Sequence, residues 1–153
     1  MNTRQKKLLE NFVLVLLITI AMIIGLLNFK DWVNYSESMR AMQHLGQIVM
    51  DYREKHGSVP PNYFVEDIRQ NLEGAQRIGN LKYRARWIEF DAKPDTILAY
   101  GYKDYKHFLF GSGAVVLRLD GRVEWLKKSE LDVILAKQQS PLEIEMEHKK
   151  PAR

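Results

Sequence analysis

Residues 12–57 read FVLVLLITIAMIIGLLNFKDWVNYSESMRAMQHLGQIVMDYREKHG, and the change of pattern inside this stretch decides the fold. From Phe12 to Leu27 the run is apolar on every helical face, interrupted only by Thr19 and Gly25. A helix apolar all round belongs in lipid or in a core larger than this chain can build. Crossing a bilayer core takes about 20 mostly apolar residues, and Leu8, Leu9 and Phe29 extend the run to that length. After Lys30 the pattern changes. Trp32, Tyr35, Met39, Met42, Leu45, Val49 and Tyr52 recur at three- and four-residue steps, the stripe of an amphipathic helix. No proline interrupts the segment, so a single helix of about fifty residues and ~75 Å is expected. His56-Gly57 and then Pro60-Pro61 end it.

The flanking charges orient the anchor. Arg4, Lys6 and Lys7 precede the run, and a mixed Lys30-Asp31 pair follows it. By the positive-inside rule the N-terminus is cytoplasmic and the bulk of the chain lies outside, with Trp32 and Tyr35 near headgroup depth. A cleaved signal peptide has the same order of regions. The Asn28-Phe29-Lys30-Asp31-Trp32 segment lacks the small-residue pattern of a cleavage site, which favours an uncleaved single-pass anchor.

The remainder predicts a small α+β domain. Phe64, Val65, Ile68 and Leu72 suggest a helix capped by Asn62 and ended by Gly74. Residues 81–90 alternate apolar and charged, the mark of a half-buried strand, and residues 97–102 read as another. Residues 115–119 and 122–126 flank Asp120-Gly121, the favoured pair for a two-residue hairpin turn. Ser129 opens a helix carrying Leu131, Ile134 and Leu135. The resulting division is a basic terminus (1–7), a transmembrane helix (8–29), an amphipathic spine (30–56), an α+β domain (57–137) and a charged flexible tail (138–153).

Composition narrows the chemistry. The chain has 153 residues, a net charge of +4 and no cysteine. Disulfides, thiolate zinc sites and cysteine nucleophiles are thereby excluded. No dense basic stripe with stacking aromatics marks a nucleic-acid partner. His44, His56, His107 and His148 are scattered without metal-ligand spacing. Asp91 and Asp95 flank a turn and offer too few oxygens for calcium. Adjacent Glu66 and Asp67 diverge by about 100° on a helix and make no acid/base pair. Gly111-Ser112-Gly113 precedes a strand and reads as a flexible loop. Lys82, Arg84, Arg86 and Arg118 are expected on a solvated sheet face. The expectation is a protein without catalytic residues, cofactor, metal or small-molecule substrate.

Two stretches carry a family resemblance: MQHLGQIVMDYREKHGSVPP at 42–61, and PDTILAY at 94–100 followed by GAVVLRLDGRVEWL at 113–126. Together with the anchor they resemble type IV pilins and type II secretion pseudopilins, in the branch with a His…Asp-Gly hairpin. The resemblance implies a spine helix on a small antiparallel sheet and a bacterial inner-membrane protein with a periplasmic domain. It also implies partners: the bilayer, like or related subunits, and secretion or pilus machinery. Phe12, Val15, Ile18 and Met22 would then make lateral contacts, while Trp32, Tyr35, Met39, Met42, Leu45 and Val49 hold the domain. The chain departs from the family where prepilin peptidase acts. No glycine precedes Gly25, Glu10 is the only acid near the start of the run, and His107 stands further from Asp120 than the family pattern. A membrane-tethered module presenting the 102–113 loop to a ligand is the alternative.

Overall fold

The computed structural model describes residues 2–72, 74–89, 91–105 and 111–149. One helix, α1 (Thr3–His56), runs through anchor and spine without a break. It begins where Gln5 Oε1 accepts the Asn2 N–H at 3.1 Å. It ends at Gly57, whose left-handed φ of 72° lets its N–H bond back to Arg53 O at 2.8 Å. Then come α2 (Asn62–Asn71) and α3 (Ala75–Ile78). The helix expected to run from Asn62 to Gly74 is thus two: Pro61 occupies the cap position, and Gly74, at φ 76°, opens α3.

Four strands follow, β1 (Leu81–Tyr83), β2 (Ile97–Asp104), β3 (Ser112–Arg118) and β4 (Val123–Lys127), in an antiparallel sheet of order β1-β2-β3-β4. The architecture is α+β, a long apolar helix packed on a small antiparallel sheet. One sheet face buries Ala99, Val115 and Leu117 against Met42, Leu45 and Val49 of α1 and Val65 of α2. The other buries Tyr100, Ala114 and Val116 against Leu131 and Leu135 of α4 (Lys128–Gln138). Alternation along β2 and β3 therefore supplies two apolar layers, one for each helix.

Asp120 and Gly121 form the hairpin turn, in a three-residue loop rather than the expected two. Arg118 N bonds Arg122 O at 2.8 Å, and Gly121 N bonds Arg118 O at 3.0 Å. Gly121 holds φ 87°, the left-handed residue that such loops place before the returning strand. Gly113 lies within β3, not in a flexible loop. A side chain there would start 2.5 Å from the Trp125 ring, so the indole packs where a Cβ would be.

Two expectations fail together. The strand predicted for 81–90 stops at Tyr83, and residues Ala85–Trp87 form a 3₁₀ turn. That bend carries Arg84 off the solvated face and buries it at 2% exposure. The segment 138–153, expected to be a mobile tail, contains α5 (Pro141–Lys149). Glu143 of α5 is buried and takes Arg84 as a two-pronged partner, at 2.6 Å from Nε and 3.0 Å from Nη2. Arg84 also donates to Ile97 O at 2.7 Å and Gln138 O at 3.1 Å, while Gln138 accepts the Ile97 N–H at 2.9 Å. The guanidinium thus joins β1, β2, α4 and α5 with its charge matched.

Candidate anchoring and assembly surface

The first half of α1 is bare. Phe12, Val15, Ile18 and Met22 are all more than half exposed, as are most apolar residues from Leu8 to Phe29. The apolar window within α1 is long enough to cross a membrane, and none of it is buried by the rest of the chain. Two of its polar groups bond back to the helix, while Asn28 Oδ1 is buried without a partner among the described residues. Thr19 Oγ1 donates to Val15 O at 2.8 Å, and Asn28 Nδ2 donates to Ile24 O at 2.9 Å. Such back-bonding lets hydroxyl and amide N–H groups sit in an apolar helix without needing water.

The second half is covered. Met42, Leu45 and Val49 are at most 1% exposed, and Met39 packs at the margin of the same core. Tyr35 meets the edge of Trp125, with ring centroids 5.3 Å apart. Trp32 departs from its expected role. It is 52% exposed and stacks on Phe29 at 5.9 Å, one turn short of the domain contact. The stripe therefore begins to hold the domain at Tyr35. The Phe29–Trp32 pair is left outside, in the position where amphipathic rings favour a membrane–water boundary. Tyr105 lies between the two regions, stacked on Trp125 at 5.6 Å. Burial raises its phenol above the usual range, and the Ser38 hydroxyl works in the other direction.

The other sequence-derived candidates do not converge. His44 is exposed on α1. His56 stacks on Tyr52 at 4.1 Å and places Nδ1 3.0 Å from Tyr52 O. His107 lies outside the described residues, as does much of the 102–113 loop, and nothing is described of the His148 side chain. Asp91 and Asp95 are exposed, and no cluster of three or more metal-binding side chains occurs among the described residues. Glu66 and Asp67 are exposed on α2. Of the four cations expected on one face, Arg84 is buried and Arg118 pairs with Glu124. Burial, helped by Tyr52, pushes the Tyr83 phenol well above its ordinary range, and its hydroxyl donates to Pro60 O at 2.8 Å.

An open groove of about 1080 Å³ separates α1 from α2 and α3, lined by Glu37, Arg40 and His44 on one side and Glu66, Arg69 and Arg77 on the other. Arg77 bridges it at one end, 2.7 Å from Glu37 and 2.8 Å from Asn34 Oδ1. Its charges are mixed and solvated, and no nucleophile–base pair stands in it. Sequence reasoning missed the Arg84–Glu143 pair. A buried partnership between residues so far apart in the chain leaves no local pattern. Comparison with protein-family models, with curated proteins and with solved structures returns no match.

Proposed function

We propose that the chain is a non-catalytic, single-pass subunit of pilin or pseudopilin type, which contributes its helix to a secretion- or pilus-like assembly at a bacterial inner membrane. The observation that carries this reading is the division of α1 into a bare apolar half and a half buried in its own domain. A plain tether needs only the bare half. A rigid spine shared by anchor and core is what lets neighbouring copies pack helix against helix while their domains keep one height. In this reading Phe12, Val15, Ile18 and Met22 face lipid or neighbouring helices. The N-terminus is cytoplasmic and the sheet periplasmic, as the Arg4-Lys6-Lys7 cluster favours. A second reading, a tethered binding module that does not polymerise, draws support from the groove between α1 and α2–α3.

Cysteine cross-linking separates the two, because the chain has no cysteine of its own. One cysteine replaces Ile18 in the anchor and another replaces the exposed Gln43 on the spine; Ser38 is buried and unsuitable. Oxidation in native membranes is expected to give a ladder or mixed adducts. A monomer at both positions would overturn assembly and leave the tethered module. A reporter phosphatase fused after Arg153 is expected to be active, and activity only from a fusion before Met1 would reverse the orientation.

A further inference from the structure

Four strands leave two sheet edges, and both are less covered than the middle. β2 is buried from Ile97 to Gly101 and β3 from Gly113 to Leu117, whereas no residue of β1 or β4 is fully buried. Hydrogen-bonded pairs alternate along antiparallel strands, so every second residue of an edge turns its N–H and C=O outward. Arg84 N bonds Leu98 O, and Arg118 N bonds Arg122 O, each at 2.8 Å. Counted from those pairs, the outward residues are Leu81 and Tyr83 on β1 and Val123 and Trp125 on β4. The Leu81 N–H turns back to Gly79 O at 2.9 Å, and the other outward groups meet no backbone partner among the described residues.

The two edges also match row by row. Followed across the sheet, the register places Leu81 in one row with Trp125, Lys82 with Glu124, and Tyr83 with Val123. Lys82 already reaches over the Tyr100 ring, 5.7 Å from its centroid, and Glu124 holds Arg118, so neither supplies an unmet charge. What they supply is a choice of partner. An edge paired with its own copy about Lys82 or Glu124 sets like charges face to face, which is unfavourable. Such antiparallel self-pairing also points the two α1 helices in opposite directions. Within one sheet, three antiparallel steps make β1 and β4 run opposite ways. An antiparallel joint between β4 of one copy and β1 of the next therefore leaves both α1 helices parallel, as two like-oriented spans of one bilayer must be.

We propose that β4 of one copy adds to β1 of a second copy, with Val123, Glu124 and Trp125 facing the second copy's Tyr83, Lys82 and Leu81, so that neighbouring sheets join edge to edge. The inference rests on the reading of the chain as an assembling subunit and names the surface by which its domains meet. In this register outward backbone groups meet outward groups, apolar rows continue as apolar rows, and Lys82 comes to lie opposite Glu124. Successive sheets then stand four strand spacings apart, ~19 Å. Because α1 packs on one face of the sheet, curving the joined sheets around that face draws successive helices closer together.

The test places K82C and E124C in the full chain, singly and together, and oxidises them in native membranes. Facing residues of a non-hydrogen-bonded pair have Cα atoms ~4.5 Å apart, within reach of a disulfide. Within one chain the same two positions lie three strand spacings apart, ~14 Å, too far to bridge. K82C/E124C is expected to give a ladder, and K82C chains co-expressed with E124C chains a dimer, each ~tenfold above either single variant. Lys82 is exposed and Glu124 half-buried, and the melting of each variant reports that it folds. A monomer from well-folded K82C/E124C, or equal adducts from one single variant alone, would overturn the joint. I18C reads assembly separately. A ladder at I18C without a K82C–E124C bridge removes this inference alone, whereas monomers at both remove the assembly reading with it. A bridge without a ladder at I18C keeps the joint and moves assembly from the anchor to the sheet.

Discussion

The two halves of α1 share backbone geometry and both carry large apolar side chains, yet only one belongs to the folded domain. Leu17 is 58% exposed and Leu45 is 1% exposed on the same continuous helix. What separates them is what the rest of the chain places alongside. Residues 35–49 present a stripe that the sheet, α2 and α3 cover, whereas residues 12–27 are apolar all round and no described element covers them. Hydrophobicity alone does not put a residue in a core; a one-sided pattern opposite a matching layer does.

The severest way to break the covered side is through the far end of the chain. Arg84→Met leaves Glu143 buried without its partner and is expected to destabilise the domain by about 3–5 kcal/mol. The double change Arg84→Met with Glu143→Leu recovers most of that loss, because it removes both charges together. Denaturant unfolding in detergent, followed by tryptophan fluorescence, reads both. If the single and double variants are equally damaged, the pair is not the source of the effect.

The comparison within α1 is sharpened by one substitution made twice. Leu45→Ala is expected to cost about 2–5 kcal/mol, since it opens a cavity against β3. Leu17→Ala is expected to leave domain stability within about 0.5 kcal/mol. Similar losses at both sites would mean that the bare half is packed into the domain after all.

Smaller effects follow at the turn and the anchor. Slight burial would raise the Asp120 carboxyl, but the backbone N–H of Arg122 at 3.0 Å and its guanidinium at 2.6 Å together hold it below the ordinary range. The ionised form is therefore favoured by folding. Its contribution is complete above the unfolded carboxylate pKa of about 4 and is lost as pH falls through the lower folded value. Asp120→Asn is expected to flatten the acid limb of stability against pH slightly, and an unchanged limb would exclude this contact as a source. The smallest effect belongs to deletion of residues 1–29. The remaining domain is expected to dissolve without detergent and to melt within a few degrees of the full chain, because those residues bury nothing in it. A domain that fails to fold without them would erase the contrast between the two halves.

The long helix, the hairpin and α4 were legible because each rests on local signals: a periodicity, an Asp-Gly pair, a run of spaced leucines. The end of β1 was not. The alternation from Leu81 to Trp87 fits a strand, and only the 3₁₀ bend after Tyr83 turns Arg84 inward. Helix α5 was illegible for a related reason. Its sequence PLEIEMEHK shows no apolar stripe, and it is held through Glu143, whose partner lies far away in the chain. Trp32 shows the opposite error, since it continues the helical stripe in sequence but is exposed and stacks on Phe29, while its neighbour Asp31 is buried. Spacing says which residues share a face, not which of them the opposing layer covers. Of the candidate surface, the bare helix was therefore readable, whereas its separation from the covered half needed the packed sheet.

A helix of 54 residues with a left-handed cap at its far end and no proline inside it is also a lever. About 40 Å of it lies beyond Lys30, so a 10° change of tilt swings the Gly57 end sideways by roughly 7 Å. Membrane spans adjust their tilt when bilayer thickness changes. If α1 spans the bilayer as proposed, the fold couples the thickness of the membrane to the position of a domain held outside it.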